Sequence, residues 1–220
     1  METTVSVKAD RAARCLKQRG LVAGVLGLVV VSSVVGVDAS GDVSAEWTAF
    51  ARYKDVTIYD GHFRKYSKRF FGVGFDWQFF KSQAVAESNL RGDVRSAAGA
   101  VGLMQIMPST FEEIRSKNPA ITGPIDQVRW NIAAGIWYNR QQFVAWEPVR
   151  SSYEKLKFML GSYNAGRTSI LRAQNVAVEN GLDGTVWESI VMGLPEVTGE
   201  RSSETLSYVD RVFNIREAMR

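Results

Sequence analysis

Cysteine and histidine are almost absent from this sequence, and their scarcity excludes several kinds of chemistry. The 220 residues contain one cysteine, Cys15, so neither a disulfide within the chain nor a cysteine-based metal site can form. His62 is also alone, which excludes Ser-His-Asp catalysis, Cys-His catalysis and any site with several histidine ligands. Carboxylates, amides and hydroxyls remain as the reactive groups, and we expect neither a metal ion nor a cofactor.

Strand-like alternation, internal repeats and low-complexity tracts are also missing, which favours a helical domain. Hydrophobic residues make up 45% of the chain and aromatic residues 11%, enough for a substantial core. The length suits one globular domain with an appendage. The net charge of +4 suits an anionic partner such as a cell wall, a membrane surface or nucleic acid. Because the basic residues are diffuse and no nucleic-acid motif accompanies them, we expect no nucleic-acid partner.

The longest apolar run lies near the N-terminus and predicts a membrane helix. Residues 20–37 form 18 positions without a charge, close to the lower limit for a transmembrane span. Residues 1–19 are polar and basic, which predicts a cytoplasmic N-terminus and an exported C-terminal domain. A signal peptide cleaved after Ala39 is the alternative. Cys15 precedes the apolar run, and this argues against a lipoprotein.

The remainder of the chain is interpreted as a linker, 38–54, and one folded domain, 55–220. Trp47 and Phe50 are expected to dock the end of the linker on the domain. Apolar residues at helical spacing predict helices in the domain. The predicted helices cover 56–71, a segment that starts after Asp76 and ends near Glu87, 108–117, 131–146, 153–165, 169–180, a helix whose capping box is Thr185 and Glu188, and a final helix through Leu206, Val209 and Phe213.

A carboxylate at the end of an apolar helical run is the first candidate for chemistry. Phe80, Ala84 and Glu87 are spaced i, i+4, i+7 and share one helix face. The carboxylate is thus directed towards the core, where loss of hydration raises its pKa, as a general acid near neutral pH requires. A loop of small residues at 96–100 follows, and small residues let a bulky ligand approach the backbone closely.

Four short motifs follow one another at compatible spacing along the domain. They are Glu87-Ser88, Gly102-Leu103-Met104-Gln105, Ser162-Tyr163-Asn164-Ala165-Gly166, and Glu204-Thr205 with Tyr208-Val209. Together they resemble the motifs of the lytic transglycosylases with an SLT domain. The resemblance covers residues 63–216 and implies a mainly α, lysozyme-like helical fold. Ser162 departs from the pattern, because the family often has alanine there.

The resemblance implies a role for each matching residue. Glu87 is expected to be the catalytic acid and base, with Ser96 and Tyr163 supporting its carboxyl group. The residues expected to contact the substrate are Gln105, Met107, Asn164, Glu204 and Tyr208.

The resemblance also implies a reaction on the glycan strands of peptidoglycan. A lytic transglycosylase protonates the bond between N-acetylmuramic acid and N-acetylglucosamine and closes a 1,6-anhydro ring on the muramyl residue. One carboxyl group is enough for this reaction, without metal or cofactor, whereas ordinary glycoside hydrolysis uses two. The motifs supply one candidate catalytic carboxylate, Glu87, and no obvious second one, since Glu204 is expected to bind the substrate.

Two other functions stay open at this point. A muramidase related to goose-type lysozyme requires a second carboxylate, for which Asp93 is the candidate. A wall-binding structural subunit of a secretion machine or phage entry apparatus requires no activity. The expected location is the inner membrane, crossed once, with a periplasmic catalytic domain. Release into the periplasm after cleavage near Ala39, or association with a virion, is the alternative.

Overall fold

The structure is a computed structural model that describes residues 43–146 and 150–220. The predicted cytoplasmic segment and membrane helix, 1–37, lie outside the described residues. Within them the chain forms nine α-helices, two 3-10 turns and no β-strand, so the prediction of a mainly α fold is confirmed. The elements are α1 (Val43–Ala51), a 3-10 turn (Arg52–Asp55), α2 (Asp60–Phe71), α3 (Gln78–Ser88), α4 (Pro108–Lys117), α5 (Val128–Ala145), α6 (Ser152–Ala165), α7 (Arg167–Glu179), α8 (Trp187–Thr198), a second 3-10 turn (Gly199–Arg201) and α9 (Ser202–Ala218). None of the helices described here is both long and apolar enough to cross a bilayer.

Part of the segment interpreted as a linker is helical and lies on the domain. α1 and the 3-10 turn after it pack into the hydrophobic core through Phe50 and Tyr53, which are both buried. The hydroxyl of Tyr53 donates to the side-chain oxygen of Asn89 at 3.1 Å, and α1 contacts α9. Phe50 therefore docks on the domain, whereas Trp47 is exposed.

α2 begins at Asp60, later than the predicted start at residue 56. The reason is a turn, in which the backbone N–H of Asp60 donates to the carbonyl of Thr57 at 3.0 Å. The carboxylate of Asp60 then pairs with Lys81 of α3 at 2.9 Å inside the core. Phe63 and Tyr66 of α2 are buried in the core.

α3 runs through the middle of the domain. All of its residues from 79 to 85 are buried, and α2 and α9 pack against it. At its start, the carboxylate of Asp76 accepts a hydrogen bond from the backbone N–H of Gln78 at 3.1 Å, in line with the predicted cap. At its end, Asn89 and Leu90 both adopt a positive φ, 54° and 59°, so the helix ends at Ser88.

α5 to α8 form the other half of the domain, each helix packing against the next. Ser162, the departure from the family motif, lies in this half on α6. Its hydroxyl oxygen accepts a hydrogen bond from the indole N–H of Trp146 at 3.0 Å. Trp146 is 2% exposed, so the serine gives a buried indole the partner that it needs.

The predicted capping box of α8 is wrong. The box requires Glu188 to accept the backbone N–H of Thr185, but that N–H donates to the carboxylate of Asp183 at 2.8 Å, and the hydroxyl of Thr185 does the same at 2.7 Å. The first backbone N–H of α8, at Trp187, instead donates to the carboxylate of Glu154 on α6 at 2.5 Å. A carboxylate from another helix therefore replaces the local cap.

Candidate active site

Glu87 lies in the last turn of α3 and lines a groove of about 620 Å³. Its Oε1 accepts a hydrogen bond from the hydroxyl of Tyr208 on α9 at 2.6 Å. Burial raises the pKa of Glu87 from 4.5 to about 8; the hydrogen bond from Tyr208 acts in the opposite direction, and the negative charge of Glu204 adds to the rise. The carboxyl group is therefore mainly protonated at neutral pH and can donate a proton.

The groove brings several predicted site residues together. Gln105, Met107, Tyr163 and Asn164 line it beside Glu87. Among the described residues that line this groove, Glu87 is the only one with a carboxyl group. In the same part of the chain, no three His, Cys, Asp or Glu side chains lie close enough together to hold a metal ion.

A tight turn at residues 102–105 forms the wall of the groove next to Glu87. Val101 and Ile106 exchange two backbone hydrogen bonds, of 3.0 and 3.1 Å, and these close the turn. Gln105 has a φ of 44°, which is uncommon for a residue with a side chain and is typical of functional sites. Its side-chain N–H groups donate to the carbonyls of Gly102, at 2.8 Å, and Val94, at 3.3 Å. The side-chain oxygen of Gln105 is thus the group left to bind a ligand.

The side chain of Asn131, on α5, stabilises this turn through hydrogen bonds. Its side-chain oxygen accepts the N–H of Met104 at 2.8 Å, and its N–H groups donate to the carbonyls of Val101, at 2.8 Å, and Ile125, at 3.0 Å. Asn131 is fully buried. Gly102 has a φ of 78°, and a Cβ atom there would collide with the amide of Asn131, so this close contact requires glycine.

Tyr163 and Asn164, at the end of α6, are fixed by neighbouring elements. The hydroxyl of Tyr163 donates to the carbonyl of Met104 at 2.7 Å and so contacts the turn at 102–105, not the carboxyl of Glu87. Burial raises the pKa of Tyr163 well above 10, and the nearby charge of Glu87 adds to the rise. The side-chain oxygen of Asn164 accepts the hydroxyl of Thr205 at 2.8 Å, which leaves its N–H groups for the groove.

Tyr208 and Glu204 lie one turn apart on α9, and neither lines the groove. Tyr208 is 9% exposed, and its contact is with the carboxyl of Glu87. Glu204 is largely exposed, but partial loss of hydration raises the pKa of its carboxyl group, an effect that Arg201 opposes. Their predicted role in binding the substrate stays a prediction, while the structure places the hydroxyl of Tyr208 directly on the carboxyl group of Glu87.

Ser96 and Asp93 lie in the loop between α3 and α4. The hydroxyl oxygen of Ser96 accepts the backbone N–H of Ala100 at 3.0 Å and stabilises the loop itself, and its support of Glu87 stays a prediction. Asp93 is exposed and lines a different depression, together with Asp126. Asp93 therefore does not face Glu87 across the groove.

Two residues near Glu87 were missed by the sequence reasoning. Gln83 and Asn139 are both fully buried, and they connect to the carboxyl group through Tyr208. Asn139 had a signal in the sequence, because it occupies an apolar position of α5, three residues after Ile136 and four before Phe143. A polar residue at such a position is a reason to look for a buried hydrogen-bond network.

A sequence profile of the family described as the transglycosylase SLT domain matches residues 68–181, more than half of the chain. The chain belongs to the transglycosylase SLT domain family. The matched part of this SLT chain runs from α2 to just beyond α7 and contains Glu87, Gln105 and Tyr163. α9, with Glu204 and Tyr208, follows it.

Relatives of this SLT chain include two proteins named membrane-bound lytic murein transglycosylase F. The protein of Desulfosudis oleivorans is 27% identical over 158 residues, which cover 67% of this chain and 34% of the relative. The protein of Vibrio campbellii is 26% identical over 155 residues, which cover 70% of this chain and 27% of the relative. The SLT chain thus spans about a third or less of the length of these curated relatives.

Two solved structures resemble the SLT chain in fold. The 70 kDa soluble lytic transglycosylase of Escherichia coli has a TM-score of 0.57 and 22% identity, over 81% of this chain and 28% of the other. An inactive mutant of the lytic transglycosylase Slt of Pseudomonas aeruginosa has a TM-score of 0.56 and 21% identity, over 73% of this chain and 23% of the other. The lysozyme-like SLT fold expected from the sequence is therefore confirmed.

Proposed function

We propose that the protein is a lytic transglycosylase that cleaves peptidoglycan between N-acetylmuramic acid and N-acetylglucosamine and leaves 1,6-anhydromuramic ends. The observation that supports this function best is the single protonated carboxyl group, Glu87, in a groove whose described lining offers no second one. The family and the names of the relatives agree with it.

The reaction needs Glu87 twice. As the acid, Glu87 donates its proton to the glycosidic oxygen while the bond from C1 of the muramyl residue breaks, and N-acetylglucosamine leaves with a free hydroxyl group. The acetamido group of the substrate stabilises the positive charge that develops at C1, a substrate-assisted route. As the base, the carboxylate takes the proton of the C6 hydroxyl, and O6 bonds to C1. Glu87 is then protonated again, and no water is consumed.

The side chains of the groove suit the task of holding two sugars beside Glu87. The free side-chain oxygen of Gln105 can accept a sugar hydroxyl or amide proton, and the N–H groups of Asn164 can donate. Met107 adds an apolar contact at the rim. Tyr208 acts on the carboxyl group itself, because its hydrogen bond holds one oxygen of Glu87 in place.

The muramidase alternative loses its support. A hydrolase needs a second carboxylate that activates water or forms a covalent intermediate with the sugar. Asp93, the candidate for that role, is exposed in another depression. Glu87 alone then has to serve as acid and base.

Mass analysis of the muropeptides that the full chain releases from purified peptidoglycan tests the function. Glu87→Gln is the blank, since it keeps the shape of the side chain and removes the transferable proton. We expect products lighter by one water than the corresponding reducing-end species, and loss of product by orders of magnitude in Glu87→Gln.

Each other outcome contradicts a stated part of the proposal. Products with reducing ends mean a hydrolase, and the second carboxylate then has to lie outside the lining described above. Binding of peptidoglycan in a sedimentation assay without any product favours a wall-binding structural subunit. Near-normal products from Glu87→Gln remove Glu87 as the catalytic residue.

The proposed location is the inner membrane, with the catalytic domain in the periplasm. Residues 20–37 supply an apolar run for the anchor, and the relatives are named membrane-bound. An anchored lytic transglycosylase suits local opening of the wall for an assembly such as a secretion or phage entry apparatus. Alkaline extraction of membranes tests the anchor: the full chain should stay in the pellet, and a variant lacking 20–37 should be released.

A further inference from the structure

Four side chains from three helices form one continuous line of hydrogen bonds that ends at Glu87. Asn139 Nδ2, on α5, donates to Gln83 Oε1 at 2.6 Å. Gln83 Nε2, on α3, donates to Tyr208 Oη at 3.0 Å. Tyr208 Oη, on α9, donates to Glu87 Oε1 at 2.6 Å. Every bond points the same way, from α5 towards the carboxyl group.

The three supporting side chains are enclosed by the core. Gln83 and Asn139 are 0% exposed, and Tyr208 is 9% exposed. A donor or acceptor left unpaired in the core lowers the stability of the fold. Gln83 and Tyr208 each accept one hydrogen bond and donate another within the line, so the direction of one bond determines the direction of the next.

The amide of Gln83 decides where the hydroxyl of Tyr208 donates. In the observed orientation its N–H points at the phenol oxygen, so the phenol proton is free to bond Glu87. Turned by half a rotation, the amide would present Oε1 to Tyr208 and accept the phenol proton itself. Asn139 opposes this turn, because its N–H group faces Gln83 Oε1 and would then meet another N–H group.

Asn139 occupies a position where an apolar side chain would serve the core better. It lies on the same face of α5 as Ile132, Ile136 and Phe143, which are all buried. Its side-chain oxygen has no hydrogen-bond partner in the part of the chain that the structure describes. An unpaired buried oxygen lowers stability, so packing does not explain an amide here, whereas its hydrogen bond to Gln83 does.

We propose that Gln83 and Asn139 are positioning residues that fix the direction of this line, so that Tyr208 donates to Oε1 of Glu87 and the transferable proton stays on Oε2. A neutral carboxyl group has one carbonyl and one hydroxyl oxygen, and the one that accepts a strong hydrogen bond is the carbonyl oxygen. A donor fixed at Oε1 thus reserves Oε2 for the proton given to the substrate. Because that proton matters only if Glu87 is the acid of the proposed reaction, this role rests on the proposed function.

Asn139→Leu removes the residue that holds the amide of Gln83, and Gln83→Met removes the donor to Tyr208. In both we expect kcat to fall roughly 10- to 100-fold, the size of effect of one positioned catalytic hydrogen bond, with KM nearly unchanged because the groove is untouched. Gln142→Leu is the matched control. It removes another buried amide of α5, whose oxygen is also unpaired among the described residues, and it should leave kcat unchanged.

The pKa of Glu87, followed by carbon NMR of its carboxyl group, gives a readout that needs no activity. The bond from Tyr208 stabilises the ionised form, so its loss raises this pKa. We expect Asn139→Leu to raise it by roughly half a unit, in the direction of Tyr208→Phe. The other groups that face Glu87, Glu204 on α9 and Tyr163 on α6, are unchanged in these variants.

A double variant separates this role from a general effect on the fold. Since both changes act through one hydrogen bond, Asn139→Leu should add no further rise in the pKa of Glu87 to that of Tyr208→Phe. Additive shifts would overturn the role, and so would an Asn139→Leu protein that matches Gln142→Leu in kcat and in this pKa. If Asn139→Leu does not fold, Gln83→Met decides. If the proposed function fails, the wild type releases reducing-end products or none, yet the NMR comparison still reports the direction of the line.

Discussion

Glu87 combines two features that a single acid and base needs. Its pKa of about 8 keeps it protonated at neutral pH, and its hydrogen bond to Tyr208 stabilises the ionised form that the second half of the proposed reaction uses. A buried carboxyl group resists ionisation, so ionising Glu87 lowers the stability of the folded state. Both the free energy of unfolding and the activity should therefore depend on pH through the ionisation of Glu87.

The first prediction concerns the stability of Glu87→Gln. The folded-state pKa of Glu87 is raised, so the native state holds an extra proton between about pH 4.5 and 8 and loses stability as the pH rises through that window. Glu87→Gln should match the wild type near pH 5 and exceed it near pH 9 by about 2 to 4 kcal/mol, at about 1.4 kcal/mol per pKa unit less screening by water in the groove. Denaturant titrations at both pH values measure this difference.

Glu112→Gln, on the exposed surface of α4, is the control for loss of a charge. Its effect on the free energy of unfolding should not grow with pH as that of Glu87→Gln does. An equal effect of Glu87→Gln at both pH values contradicts the raised pKa.

The second prediction concerns Glu204. Its negative charge raises the pKa of Glu87, so Glu204→Gln should lower that pKa and move the alkaline limb of kcat to lower pH. We expect a displacement of about half a unit, as for one charge acting through a partly solvated site. Glu217→Gln, at the far end of the same helix, is the control. A limb that stays in place, or moves to higher pH, shows that Glu204 does not act on Glu87.

At the scale of elements, the turn at residues 102–105 depends on one side chain from another helix. The third prediction is that Asn131→Ala lowers the free energy of unfolding by on the order of 3 kcal/mol, because it leaves one N–H and two carbonyl groups without their buried partner. Activity should fall as well, since Gln105 and Met107 lose their fixed position. Asn118→Ala, which removes one exposed hydrogen bond to Ala120, should lower the stability by less than about 1 kcal/mol.

Denaturant titration and muropeptide release, measured on the same preparations, check the third prediction. Full activity of Asn131→Ala contradicts the role of the turn in the site. Unchanged stability contradicts the role of Asn131 as its support.

Helices with local signals could be predicted well, and those that depend on distant partners could not. α4 covers 108–117 as predicted, because Pro108 marks its first turn. α8 does not have its predicted cap, because Asp183 competes locally and Glu154 approaches from α6. α1 lies in the segment interpreted as a linker: Phe50 indicated that the segment docks, but neither its helical structure nor its contact with α9 was predicted.

At the scale of the whole molecule, the site is assembled from α3, α5, α6, α9 and the loop before α4. Sequence motifs identified Glu87, Gln105 and Asn164, which line the groove, because each lies in a short conspicuous run. They could not identify Gln83 and Asn139, because a line of hydrogen bonds across three helices exists only in the folded chain. Nor could they show that the hydroxyl of Tyr163 bonds the carbonyl of Met104.

The fourth prediction concerns the charge of the groove. Arg172 and Arg201 line it, and neither forms an ion pair with the residues that the structure describes. Because the stem peptides of peptidoglycan carry carboxylates, changing both arginines to glutamine should weaken binding to purified wall at low salt and flatten its salt dependence. A pair of changes on α4, Arg115→Gln with Lys117→Gln, removes the same charge and should have little effect. Sedimentation with purified wall at low and high salt compares the two double variants. Equal losses of binding mean that binding depends on the net charge of the protein and not on the arginines of the groove.

The place of Glu87 along its helix has a consequence of its own. The peptide dipoles of an α-helix sum to a partial negative charge at the C-terminal end, and Glu87 is the last residue but one of α3. The carbonyl groups of that last turn repel a carboxylate and do not repel a neutral carboxyl group. The left-handed residues Asn89 and Leu90 hold the helix end at this point, and so keep this field fixed on Glu87. α3 therefore carries the proposed acid, Glu87, and the dipole of its own backbone also helps to keep that side chain protonated.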